Sequence, residues 1–435
     1  MRLLAFEGLR YTKQAGDPSQ LAAPPYDQID DPARDRFHAA SPYHFVHLTR
    51  PAAPGSDPYR HAAELHRQWL REGAVARDPR PALYPYVVEL AGGGRRLGVM
   101  ALVGYAPESV IRPHEQTLDK PLADRLALLE ATRVDLEPAL LLADDDGEID
   151  RLLAADLEGA GSHEPGQAPA PAPLSTSGAG RSPAPLVNYR DEDGHHHRLF
   201  RIEDPARIDA YQRAVAERPA AIADGHHRYK VGQRFAAAHQ AAPGTAAAAK
   251  LAVVTSMSSR ALTIDPIHRA LRQPIDPALL ADLRASAAPF RGASGAELAR
   301  AVASAPQPAL GIWVAGQAPE VWRLAPPGAA GAATAPPAAA AALPVQIFQD
   351  AVLPALGLAP QAATDGTLVY RSSPDALYAQ IERGELGTGF WLPPMRPADF
   401  AAAIAHGELL PPKSTRFLPK AMSGLVWSDH ASRVT

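Results

Sequence analysis

Apolar positions recur along the chain with two periods, one of two residues and one of three to four, and they switch from one to the other repeatedly. Residues 83–90 and 95–105 flank an Ala91-Gly92-Gly93-Gly94 turn and read as a hairpin, while Leu122, Leu126 and Leu129 share one face of a helix. A second hairpin joins 186–190 to 195–202 through Asp193-Gly194, a dipeptide that tolerates the positive φ of a tight turn. Residues 220–223 read as a short buried strand that runs straight into a helix from Asp224. Further strand pairs are expected at 251–256 with 261–265, and at 310–314 with 321–324. The last third reads as helix 345–356, strand 368–371, helix 374–383, strand 389–392 and helix 397–406. The mixture predicts an α+β (mixed α/β) chain, with mixed or antiparallel sheets and flanking helices.

Two stretches interrupt the pattern. Residues 165–185 are Pro, Ala, Gly and Ser with almost no bulky side chain, too little apolar surface to offset the entropy of ordering them. Residues 325–344 have the same Ala/Pro character. Taken as a flexible insertion and a linker, they separate an N-terminal α/β part (1–160), a core (186–324) and a C-terminal α/β part (345–435).

Charge and composition narrow the chemistry. Lys and Arg number 43 against 47 Asp and Glu, a net charge of −4 that supplies no field for polyanions; with no helix-turn-helix pattern, this disfavours DNA as a partner. There is no cysteine, which excludes disulfides, thiolate metal centres and cysteine nucleophiles. The first residues carry Glu7 and no signal-like apolar run, and no stretch of about 18 apolar residues occurs, so the expectation is a cytoplasmic protein with no membrane partner. G-x-S-x-G and G-x-G-x-x-G are both absent, and Pro412 stands where a P-loop ending in Lys413-Ser414 needs its second glycine.

The junction Ile222-Ala223-Asp224-Gly225-His226-His227-Arg228-Tyr229 is the most informative segment. A helix start offers backbone N–H groups and the positive end of the dipole, and Gly225 lets a ligand approach closely. Arg228 adds a planar donor fork, His226 and His227 add donors, and Asp224 either caps the helix or holds a divalent ion. Elsewhere, Glu115 beside His114 is the candidate base that accepts a hydroxyl proton, and His268-Arg269 at a strand end is a candidate second anion contact. His195 and His197 alternate to one face of a strand and His196 to the other, which gives at most two ligands and no zinc site.

The IADGHHRY run resembles the signature of the domain of unknown function 1015 family. Further elements match across the chain: Pro24-Pro25-Tyr26-Asp27, Pro113-His114-Glu115-Gln116-Thr117, Asp124-Arg125-Leu126, Pro266-Ile267-His268-Arg269 with Ile where the family has Thr, and Pro412-Lys413-Ser414-Thr415-x-Phe417-x-Pro419-Lys420. After the tyrosine the family usually has Glu, and this chain has Lys230. The D-G-H-x-R core is also similar to the phosphate loop of the ParB and sulfiredoxin superfamily, which includes free-serine kinases. That resemblance implies phosphate contacts from Gly225, His226, His227 and Arg228, and the family's C-terminal element adds Lys413, Ser414 and Thr415. It implies a nucleotide- or phosphate-binding enzyme, with ATP or ADP and Mg2+ at Asp224, that transfers phosphate to a small serine-like hydroxyl; Glu115, Asp224 and His226 are then the candidate catalytic groups. The alternatives are a ParB-like nucleotide-regulated binding module and a metal-dependent hydrolase built on His114, Glu115 and the Asp224 to His227 cluster.

Overall fold

The computed structural model describes residues 1–53, 55–115, 119–158, 184–324 and 343–435. Most of the stretches expected at 165–185 and 325–344 lie outside the described residues, as do Gln116 and Thr117. The chain divides into two units: unit 1 is Met1–Pro113, Thr117–Leu262 and Pro419–Thr435, and unit 2 is His114–Gln116 and Thr263–Leu418. The division follows strand pairing and not the composition shifts at 160–185 and 325–344, because partners remote in sequence close one sheet in each unit.

Unit 1 is built on a nine-stranded mixed sheet. Its strands are β1 (Leu3–Leu4), β2 (Tyr84–Glu89), β3 (Arg95–Gly104), β4 (Ile111–Arg112), β5 (Ala139–Ala143), β6 (Val187–Arg190), β7 (His196–Leu199), β8 (Ala220–Asp224) and β9 (Ala249–Ser256). They lie in the order β4-β8-β5-β9-β3-β2-β7-β6, with β1 paired to β3. The pairs β8 with β4 and β9 with β5 are parallel, and the others are antiparallel. Both expected hairpins form, as β2–β3 and β6–β7.

The helices of unit 1 include α1 (Pro58–Glu72), α2 (Asp119–Thr132), α3 (Glu148–Asp156), α4 (Pro205–Val215) and α5 (His226–Ala238). Ile149 and Leu153 of α3 and Ile208, Tyr211 and Val215 of α4 cover the sheet face that carries Val99, Ala101, Leu141, Ile222 and Val254. Strand alternation sends Tyr86, Arg96, Gly98, His197 and Thr255 to the opposite face. β5 and β9 are buried along their whole length, as central strands covered on both faces are.

One expected pairing differs. Residues 251–256 do not pair with 261–265, because β9 lies between β3 and β5 with both edges occupied, while Thr263–Asp265 pairs with Arg416–Leu418 in unit 2. The sheet of unit 2 is antiparallel: β10 (His268–Leu271), β11 (Arg284–Pro289), β12 (Ala309–Val314), β13 (Glu320–Leu324), β14 (Val369–Arg371) and β15 (Thr388–Trp391), in the order β11-β13-β12-β15-β10-β14. Helices α6 (Gly295–Ser304) and α7 (Pro374–Glu382) bury Leu298, Val302, Leu377 and Ile381 against Trp391. The helix expected at 345–356 forms with a π turn at Phe348–Val352, just before Pro354, whose missing N–H cannot continue the regular ladder. No helix among the described residues is long and apolar enough to cross a membrane.

This packing makes a contrast measurable by denaturant titration. Leu141→Ala, at a fully buried position of the unit 1 core, is expected to cost about 2–5 kcal/mol of stability. Leu279→Ala, at a side chain that is 54% exposed, is expected to change it by less than about 0.5 kcal/mol. Equal losses at the two positions would contradict this placement of the core.

Candidate functional site

The β8–α5 junction is shaped by a glycine and three charges. A bulge between Ile222 and Asp224 ends the ladder, and Gly225 then adopts φ +85° and ψ 31°, a left-handed conformation that a residue with a Cβ resists. A Cβ there would also stand 3.2 Å from Ala139 Cα and 3.1 Å from the Arg228 guanidinium. The first turn closes with Tyr229 N donating to Gly225 O at 2.8 Å, and the cap position is held by Gly225, which has no side chain to cap it. The cap expected of Asp224 is therefore not made. Its carboxylate turns instead to two cations: Arg228 Nη2 donates to Oδ2 and Lys420 Nζ to Oδ1.

Arg228 is buried and also donates through Nη1 to Pro138 O. Burial opposes the ionisation of Asp224, but Lys420 and Arg228 more than offset it and hold the carboxyl well below its ordinary value. Burial likewise works against the charge on Arg228, and Asp224, Glu137 and Asp27 hold its pKa above the ordinary value. His226 and His227 are half-buried in the first turn, and Lys230 is exposed.

A second layer surrounds this junction within unit 1. Glu137, buried, accepts from Tyr26 N at 2.9 Å and lies 3.8 Å from Arg125 Nη1. Burial raises its carboxyl pKa against the opposing pull of Arg228 and Arg125. Arg125 donates to Thr49 O at 2.6 Å and stacks its guanidinium 4.2 Å from the Tyr26 ring centroid. Lys250 Nζ donates to Glu137 O at 2.7 Å and to Asp135. A cavity of about 400 Å³ opens beside Tyr26, Asp27, Arg34, Arg50, Tyr59 and Arg125. The elements expected around residues 24–27, 124–126 and 222–229, together with Lys420, thus meet in one network. Glu137 and Lys250 were missed by sequence reasoning, and the only signal was a charged residue next to an otherwise apolar strand.

The remaining candidates lie in unit 2. Glu115 Oε1 accepts from Lys413 N at 3.3 Å, and His114 Nε2 lies 2.8 Å from Thr415 Oγ1. Arg269 is buried; it donates to Ile267 O and, at 3.2 Å, to Lys413 O, with its guanidinium 5.6 Å from the ring centroids of Phe348 and Tyr370. Burial lowers its pKa to about 10. His268 accepts from Leu392 N at 3.3 Å, and burial lowers its pKa to about 4, so it is neutral. The pair expected at a strand end is therefore an interior one. Ser414 is also buried and donates to Pro411 O at 2.5 Å. The structure thus brings Glu115, Arg269, Lys413 and Thr415 together in one unit, and Asp224, Gly225, His226, His227 and Arg228 in the other.

The histidine run has separate duties. His197 Nδ1 lies 2.6 Å from Tyr86 Oη and its Nε2 lies 2.8 Å from Asp191 Oδ2, while His196 bridges Glu89 and Asn188. His195, Asp191 and Asp193 do bring three metal-capable atoms within 4.8 Å of one another at the hairpin tip, one ligand more than the spacing indicated. Asp191 there already accepts from His197 and from His195 N.

Comparison with known proteins places the chain. No curated protein matches it. Among solved structures, a conserved hypothetical protein from Pyrococcus furiosus is 13% identical with a TM-score of 0.35, covering 76% of this chain and 94% of its own. A free serine kinase in complex with AMP is 14% identical with a TM-score of 0.35, covering 75% and 92%. SbnI with a C-terminal truncation, from Staphylococcus aureus, is 12% identical with a TM-score of 0.35, covering 74% and 84%. Similarity at this level carries no argument about the site. The family model described as "Protein of unknown function (DUF1015)" matches residues 3–164 and 174–318, well over half of the sequence, and the chain belongs to that family.

Proposed function

We propose that this protein binds a nucleotide or another phosphorylated small molecule at the start of α5. One observation carries the reading: α5 opens directly from a sheet strand through a left-handed glycine, with no capping side chain, where Arg228 and Lys420 share the one carboxylate of Asp224. The helix start supplies the positive end of its dipole, and Lys420 and Arg228 lie beside it, Arg228 facing Glu137 and Asp27 as well as Asp224. An arriving phosphate draws Lys420 away from Asp224 while Arg228 keeps the carboxylate and the turn in place. His226 and His227 add donors in the first turn. The cavity beside Tyr26 and Arg125 is of the size that small organic ligands occupy.

The finer reading is ATP or ADP as the ligand, with transfer of a phosphoryl group to a small hydroxyl compound. In that reaction Lys420, His226 and the helix dipole offset the charge that develops on the transferred group. Asp224, with a cation on each oxygen, does not fit as a ligand for magnesium in this arrangement, so no step is routed through a metal there.

The binding reading is tested by calorimetry and thermal shift with ATP, ADP, AMP and inorganic phosphate. At a hundredfold excess over Kd, a ligand is expected to raise the stability of the wild-type chain by about 2.7 kcal/mol. Lys420→Met is expected to weaken binding about tenfold or more, a loss of about 1.4 kcal/mol. If none of the four compounds stabilises the wild type, the reading is wrong. Arg228→Ala is a poorer probe, since it strands buried polar partners and lowers folding stability as well.

Linkage gives a further outcome. The ion pairs of Asp224 contribute fully above its ordinary carboxyl value of 3.8 and are lost as pH falls below it, because the folded state holds the group ionised. Asp224→Asn is expected to be less stable than the wild type by about 3–5 kcal/mol at pH 7. The gap should narrow as pH drops below 3.8, read from denaturant midpoints; a gap constant down to pH 3 would contradict the assigned pairing.

A further inference from the structure

Arg96 is a buried cation outside the network described above. It is 2% exposed, and neither Nη1 nor Nη2 has a hydrogen-bond partner among the described residues. Burial lowers its pKa only to about 10, so it keeps its charge at neutral pH. It lies on the sheet face opposite the α3 and α4 core, two residues from Gly98. A Cβ at Gly98 would stand 2.8 Å from Thr255 Oγ1 and 2.6 Å from Val253 Cγ1, so the space beside Arg96 is bounded by a hydroxyl that is itself buried without a partner.

The groups that face Arg96 do not neutralise it. Tyr86 and Asp224 are the anionic or potentially anionic groups whose fields reach it. Burial holds the Tyr86 phenol well above its ordinary value, and its oxygen already accepts from Met422 N. Asp224 is shared by Arg228 and Lys420. His197, the other titratable group that feels the charge, is kept neutral by burial at neutral pH, and Asp191 is bonded to His197. Residues 420–422 run from the contact with Asp224 to the contact with Tyr86, the same two groups between which the field of Arg96 is felt. A guanidinium taken out of water without a counter-ion is a heavily penalised arrangement, and its planar fork matches two oxygens of one tetrahedral oxyanion.

We propose that Arg96, with Thr255 as a neighbouring hydroxyl donor, binds the terminal phosphate oxygens of the ligand that enters at the α5 start. This rests on the reading given under Proposed function and extends it from the helix turn to the sheet face. Inorganic phosphate alone satisfies the same donors.

The test is calorimetric titration of the full chain with inorganic phosphate and with ADP, for the wild type, Arg96→Met, Arg96→Lys and Thr255→Val. Arg96→Met is expected to weaken both ligands about tenfold or more, and Arg96→Lys, which keeps the charge but not the fork, by a smaller factor. A folded Arg96→Met with wild-type Kd for both ligands overturns the assignment and leaves Arg96 a structural residue. If Arg96→Met does not fold, Arg96→Lys and Thr255→Val decide: weakening of fivefold or more in either supports the site, and unchanged Kd in both overturns it. The underlying reading is judged on the wild type alone, since absence of binding there removes both proposals, while binding that survives the Arg96 variants removes only this one.

Discussion

The carboxylate of Asp224 joins two stretches of chain that are remote in sequence, the β8–α5 junction and the C-terminal return of unit 1. It ends strand β8, takes Arg228 from the first turn of α5 and takes Lys420 from the C-terminal return of unit 1. Arg228 in turn bonds the carbonyl of Pro138 at the head of β5, so one guanidinium fixes the angle between a strand, its neighbour and the helix that leaves it. The neighbouring charges depend on the same exchange, because Glu137 faces Arg228 and is tied through Tyr26 and Arg125 to the N-terminal part and to α2.

Much of the local structure was legible because it obeys short-range rules. The β2–β3 and β6–β7 hairpins follow from alternation around Gly-rich turns, and the β8–α5 junction from a small apolar block ending in Asp-Gly. Long-range partner choice was not legible. Residues 251–256 and 263–265 both carry the period of a strand, but only three-dimensional packing decides that the first is central in unit 1 and the second pairs with 416–418 in unit 2. The same holds for the units themselves, since composition says nothing about which strands meet across the chain.

The candidate site was legible in its parts and not in its assembly. The run from Asp224 to Arg228 announces a helix start rich in donors, yet nothing in its spacing shows that Arg228 turns inward to a carbonyl and a carboxylate. His268 and Arg269 carry the polarity of a surface pair, but alternation within a fully buried strand places them inside. Arg96 and Glu137 escaped notice for the opposite reason. Each lies at the start of a long apolar run, Arg96 behind Arg95, and sequence patterns discount such a residue as the edge of a strand.

Stability alone does not account for this concentration of buried charge. Ion pairs taken out of water regain little more than their desolvation cost, and well-packed apolar residues of similar volume often serve the fold equally well or better. Arg228 and Glu137 fall within that rule, since each has partners that offset its burial. Arg96 falls outside it, because its unpartnered nitrogens add cost with no return inside the chain. The uncompensated charge of Arg96 is felt at Asp224, beside a helix start whose dipole has the same sign. On the binding reading proposed above, an anion offsets the charge of Arg96 and the positive end of the helix at once.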